Sequence, residues 1–107
     1  MNLEDQLDKI INDDDLKELK KFFYKEEAIK NRLYYVFLSL YYATIQGRLN
    51  ILKYLFNKYS DIITGNSINE SLKFANANSN LNIVRYLKFY KYIKENGIKY
   101  SNTILLG

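Results

Sequence analysis

Apolar positions fall at three- and four-residue steps along most of this chain, the spacing that puts them on one face of a helix. Leu3, Leu7, Ile10 and Ile11 form a first stripe, and Leu16, Leu19, Phe22 and Phe23 a second. Between them stands Asp13-Asp14-Asp15. A carboxylate just before an apolar run caps free backbone N–H groups and suits the positive end of the helix dipole. From Arg32 to Thr44 the text LYYVFLSLYYAT is almost continuously apolar, which predicts a helix buried on most sides. A strand competes for such a run, but its length favours helix. Gly47 is placed to end it. Ile51, Leu52, Leu55 and Phe56 predict a shorter amphipathic helix over 50–58. A polar turn containing Gly65 follows, helix signals resume from Ile68 to Ala77, and Ile83, Val84, Leu87 and Tyr90 predict a last helix from about Asn80 to Lys94-Glu95-Asn96-Gly97. The terminal YSNTILLG reads as the opening of a further helix left incomplete.

Part of this text is written twice. ATIQGRLNILKYL, from Ala43, and ANANSNLNIVRYL, from Ala75, agree at six of thirteen positions and begin thirty-two residues apart. A fainter copy, Leu16 to Phe22, aligns with Leu49 to Leu55 at an offset of thirty-three. Self-similarity at this period marks a solenoid, in which helix pairs that cannot bury their apolar faces alone stack and share a core. The expected fold is all-α: a short solenoid of two to three stacked antiparallel helix pairs in one domain, 1–107. It comprises a weak repeat over 3–31, repeats over about 35–66 and 67–98, and an incomplete tail, 99–107.

Composition narrows the chemistry. With no His or Cys, neither a Ser-His-Asp nor a Cys-His nucleophile system can be built, nor a zinc site of the usual kind. The four glycines are too scattered for a phosphate-cradling loop. The aspartate triplet lacks the alternating ligand spacing and glycine of an EF-hand loop. The remaining acids, such as Asp61, Glu70 and Glu95, are dispersed without a motif, so no enzyme activity and no cofactor are expected. No apolar run is long enough to cross a membrane, and the acidic, amphipathic N-terminus does not read as a signal peptide. Lack of cysteine is compatible with a reducing compartment, and a cytoplasmic location is expected. The net charge of +4 is uneven: residues 1–31 sum to −3 and residues 32–107 to +7. Heavy use of Asn, Lys, Ile and Tyr, which have A/T-rich codons, points to an A/T-rich genome.

The segment Gly47-Arg48-Leu49-Asn50-Ile51-Leu52-Lys53-Tyr54-Leu55 resembles the G-H-x-E-I-V-x-x-L text that opens the second helix of an ankyrin repeat. Ala43 and Ala75 stand where that family has a small residue for close helix packing, and Asn80 to Leu87 repeats the second-helix text. Ser60-Asp61-Ile62 is similar to a worn form of the family's G-A-D-V turn. The T-P-L-H opening is absent from both copies, so short irregular loops are expected in place of projecting β-hairpin fingers. Ser79 takes the place of the second glycine, the last helix runs past the usual length, and Tyr24 to Asn31 occupies the place of a turn. The chain thus resembles the degenerate ankyrin-like proteins of large DNA viruses. The resemblance implies a non-enzymatic module that binds a partner protein, such as a viral or pathogen factor acting on a host protein in the host cytoplasm. It assigns recognition to Ile45 and Gln46 with Ala77 and Asn78, the pairs near the turn, and to Phe37 and Asn69, before the missing T-P-L-H.

Two further features are candidates. Eleven tyrosines can pack in the stack with hydroxyls at its edge, or form an aromatic binding surface. Arg85, Lys88, Lys91 and Lys94 step by three along the last helix among Tyr86, Phe89 and Tyr90, which suits an outer solenoid helix first and, as the lesser alternative, a phosphate-tracking, base-stacking surface. Nucleic-acid binding through this stripe is the alternative function. The apolar tail also suggests self-association through an open C-terminal end.

Overall fold

The computed structural model describes residues 1–96, and the tail over 99–107, with its expected self-association, lies outside them. The helices are α1 (Leu3–Asn12), α2 (Leu16–Phe22), α3 (Glu26–Lys30), α4 (Arg32–Ile45), α5 (Leu49–Lys58), α6 (Gly65–Ala77) and α7 (Leu81–Asn96). Among the described residues there is no strand, and no helix is long and apolar enough to cross a membrane.

Three helix hairpins, α1–α2, α4–α5 and α6–α7, share one turn. Asp14, Gly47 and Ser79 each adopt a left-handed φ, of 55°, 71° and 56°. The residue after each sends its N–H back to the fifth preceding carbonyl: Asp15 to Ile10 at 3.1 Å, Arg48 to Ala43 at 2.8 Å, Asn80 to Ala75 at 3.0 Å. The left-handed residue itself donates to the third preceding carbonyl in all three turns. This is the Schellman arrangement, which ends a helix by satisfying its last carbonyls. Only Gly47 takes the left-handed conformation without a Cβ penalty.

The first helices form a row, with α4 packed between α1 and α6, and each second helix lies against its own first helix. Ser39 and Ala43 of α4 and Ser71 and Ala75 of α6 are small and all buried, and α4 meets α6 through Phe37, Leu40 and Tyr41 against Ser71 and Phe74. Ser39 Oγ donates to the Tyr35 carbonyl at 2.7 Å, which removes the penalty of burying its hydroxyl. On the second helices Leu19, Leu52 and Val84 hold one repeat position and Phe22, Leu55 and Leu87 another, and all six are buried. The nearly all-apolar text of α4 follows from its position, since α1, α3, α5 and α6 cover it on most sides.

Contacts between hairpins recur at the repeat interval. The Arg48 guanidinium donates to the Asn12 carbonyl at 2.5 Å, and the Asn80 amide to the Thr44 carbonyl at 3.0 Å, each tying one turn to the previous helix end. Lys20 sits over the Tyr54 ring at 5.3 Å, and Lys53 over the Tyr86 ring at 5.9 Å.

Local chemistry sets the helix starts. Asn2, Asp15 and Thr64 cap α1, α2 and α6 by accepting the backbone N–H of Asp5, Glu18 and Ser67. Asp15 therefore caps as its position predicts, Asp14 makes the turn, and Asp13 pairs with Lys9 at 2.8 Å. Gly65 is the first residue of α6 rather than part of a turn, because the Thr64 hydroxyl starts that helix three residues before its apolar periodicity. Tyr24 to Asn31, which stand in the place of a turn, contain α3.

Candidate partner-binding surfaces

The residues assigned from the repeat separate into two places. Ile45 and Ala77 are the last residues of α4 and α6, and Gln46 and Asn78 their C-caps. They therefore line one edge of the stack, beside the left-handed turns. Ala77 and Asn78 are exposed, while Ile45 and Gln46 are half-buried. The Gln46 amide donates to Asp8 Oδ1 at 2.6 Å and so already holds the first hairpin against the second. Asn78 donates to the Phe74 carbonyl at 2.8 Å.

Phe37 and Asn69 lie within α4 and α6, inside the helices expected over Arg32 to Thr44 and Ile68 to Ala77. Phe37 lines a shallow groove of about 250 Å³ between these helices, with Leu40, Tyr41, Ser67, Glu70, Ser71 and Phe74. Tyr41 and Phe74 meet edge to face at 4.9 Å, which holds both rings at the groove wall. Asn69 is exposed on the same helix as Phe74.

The cation stripe of α7 divides. Lys94 Nζ donates to the carbonyls of Ser60, at 3.1 Å, and Ile63, at 2.5 Å, and lies 5.9 Å from the Tyr90 ring centre. Lys91 lies 3.9 Å from Glu95. Arg85 and Lys88 are exposed. Tyr86 and Tyr90, which lie among the stripe, pack against Phe56 at 5.8 and 4.5 Å, the packed arrangement of the two readings open to the tyrosines. Burial holds both phenols above their ordinary range, with Tyr90 adding to the effect at Tyr86.

One concavity was not assigned from sequence. An open groove of about 900 Å³ lies at the end of α4 opposite its Gly47 turn, about 20 Å along that helix. Its floor and walls come from four elements. Lys20 and Phe23 belong to α2 and its cap, Ile29 and Lys30 to α3, Arg32 and Leu33 to the start of α4, and Tyr54 and Lys58 to α5; Tyr24, Tyr59 and Ile62 complete it. Phe23 and Tyr59 pack ring to ring at 5.3 Å and form the base. Tyr24, Ile29 and Leu33 stand exposed by 82, 57 and 55%, a cluster of large apolar side chains that water does not favour. Among the described residues, four cations and no carboxylate line the groove. Burial is the main cause raising the Tyr54 and Tyr59 phenols, with Tyr24 adding at both; at Tyr59 Tyr54 adds as well and Arg32 acts in the opposite sense. One signal in the sequence pointed here: the apolar residues of Tyr24 to Asn31, which stand where the repeat has a turn.

Comparison of the chain with family models, with curated proteins and with solved structures finds no match.

Proposed function

We propose that this chain is a short ankyrin-like solenoid acting as a non-enzymatic interaction module that holds a partner protein. The observation that carries the reading is the recurrence of one turn and one set of inter-hairpin contacts along the stack, at Asp14, Gly47 and Ser79 and at the lysine–tyrosine pairs 20–54 and 53–86. A stack built this way presents equivalent positions of successive hairpins side by side, so recognition can be spread over one or two side chains from each. The exposed pair Ala77 and Asn78, with Asn69 and the Phe37 groove, offers such positions on the last two hairpins. The A/T-rich residue usage, together with the ankyrin-like text, suits a viral or pathogen factor acting on a host protein in the cytoplasm.

The test is affinity capture from host-cell lysate with mass spectrometry. It uses wild-type protein and a variant carrying Asn69→Arg, Ala77→Arg and Asn78→Arg, all at exposed positions. The expected result is a defined partner held by the wild type and lost by the variant, with unfolding midpoints unchanged. A catch indistinguishable between the two proteins would remove these residues from the binding surface.

A further inference from the structure

We infer that the groove between α2, α3, α4 and α5 is a second binding site, whose occupant is an acidic segment of a partner protein carrying aliphatic anchor side chains. This rests on the interaction-module reading and adds to it a chemical class of partner and a separate surface.

Charge complementarity argues for the acid. Lys20, Lys30, Arg32 and Lys58 come from four different helices and converge on one concavity that no carboxylate lines. Lys30 has an exposed pairing with Glu26 at 3.1 Å, and exposed pairs of this kind hold their charges loosely. Lysines in the last turns of α2, α3 and α5 are expected on ordinary grounds, since they offset the negative ends of those helices. Arg32 is not. It is the first residue of α4, where the helix dipole disfavours a cation, and α4 has neither a side-chain cap nor an acid in its first turn. A carboxylate from outside would supply both the missing counter-charge and the missing N-terminal anion.

The apolar half of the groove selects the rest of the ligand. Ile29 and Leu33 project aliphatic chains from α3 and α4 toward the same space and are more than half exposed. Burying such side chains under matching ones contributes favourably in proportion to the apolar area removed from water. A nucleic acid is a poorer fit. Base stacking needs several free ring faces, whereas of the four rings that line the groove Phe23 and Tyr59 are packed on each other and Tyr54 lies under Lys20, which leaves Tyr24 as the one well-exposed ring. The volume, about 900 Å³, lies near the top of the range for sites that take a drug-sized ligand, so several side chains fit at once.

The experiment is fluorescence anisotropy on the full chain with three labelled probes. These are a short acidic peptide with leucines at helical spacing, the same peptide with its acids replaced by lysine, and single-stranded oligothymidine. The acidic peptide is expected to bind saturably and to weaken as salt rises. Arg32→Glu with Lys58→Glu is expected to weaken it by about tenfold or more. Leu33→Ser is expected to weaken it with little change in salt dependence. Arg85→Glu with Lys88→Glu, the same change of net charge on α7, is expected to leave affinity within about twofold. The proposal is overturned by equal loss in the two charge-reversed proteins, by equal binding of the lysine peptide, or by tighter binding of oligothymidine through the groove residues. Sedimentation that shows dimers abolished by Arg32→Glu with Lys58→Glu would assign the groove to a second copy, and also overturn it. A silent groove together with partner loss on changing Asn69, Ala77 and Asn78 would end this inference alone. Loss at neither surface would end the interaction-module reading as well.

Discussion

Residues 23–31, between α2 and α4, and residues 59–64, between α5 and α6, do the same job of returning the chain from one hairpin to the next. The second joint is closed. α7 continues past Tyr90, the position equivalent to the end of α5, as far as Asn96. That extra length carries Lys94 over the joint, where it donates to the carbonyls of Ser60 and Ile63. Phe56, Tyr86 and Tyr90 seal the same end with edge-to-face contacts. The first joint has no such cover. α5 stops at Lys58, and the chain spends the space on α3, which leaves Ile29 and Leu33 facing an open groove. One repeat plan therefore yields a sealed end or a binding-sized concavity, according to how far a second helix runs.

The largest way to test that contrast is to remove a ring from each joint. Phe56 is fully buried beneath Tyr86 and Tyr90, so Phe56→Ala is expected to cost about 3–5 kcal/mol in urea unfolding. Phe23 is half-buried at the groove base, so Phe23→Ala is expected to cost roughly half as much. Equal losses would mean that the open joint is as tightly packed as the closed one.

The turn end, alike in all three hairpins, provides the reference. A Cβ at Gly47 would come 3.2 Å from Asn80 Oδ1 with φ at +71°. Gly47→Ala is therefore expected to cost about 1–2 kcal/mol. Ser79 holds the same conformation against its own preference, and Ser79→Gly is expected to raise stability by about 0.5 kcal/mol, the left-handed strain relieved exceeding the chain entropy added. If both changes destabilise equally, the two turns are not equivalent.

Lys94 supplies a smaller effect, and one specific to the closed joint. Lys94→Met keeps the stem over Tyr90 but removes the donors to two carbonyls, and is expected to cost about 1 kcal/mol by denaturant titration. Lys58→Met at the open joint, an exposed substitution, is expected to stay within about 0.5 kcal/mol. A larger loss at Lys58 would show that its charge supports the groove wall.

Much of this arrangement was legible as text, and the gaps have physical causes. The helix pairs, the Gly47 turn, the aspartate cap and the long last helix follow from apolar spacing and from residues whose backbone preferences are strong. Ser79 marks its turn less plainly than Gly47 does, yet the matching text around it located it. The repeat places Ile45, Gln46, Ala77 and Asn78 at equivalent helix ends, but letters alone do not show that Gln46 is engaged by Asp8 across the hairpins. The groove was hidden for a different reason. Its cations lie at four separate points in the chain, and none forms a run or a stripe. Lys94 shows the reverse case: a regular stripe in sequence whose last member is turned onto backbone carbonyls, which only the position of the neighbouring hairpin determines.

The smallest effect at neutral pH is also the one that separates the joints by titration. Burial raises the phenols of Tyr86 and Tyr90 at the closed joint and those of Tyr54 and Tyr59 at the open one. An acid that ionises less readily in the folded chain favours folding while it stays protonated. Its contribution is therefore complete below the unfolded tyrosine pKa of about 10 and is lost as pH rises above that value. Stability measured by urea is expected to be flat from pH 7 to pH 9 on this account and to decline beyond it. The largest upward shift lies at Tyr86, whose ring is pressed against Phe56. Tyr86→Phe keeps the packing and removes the ionisable group, so it should match wild type at pH 7 and fall less steeply above pH 10. Tyr54→Phe, beside the open groove, should alter the alkaline slope less. Equal slopes for the two variants would show that solvent reaches both joints alike, and that Lys94 and the added length of α7 leave the second one as open as the first.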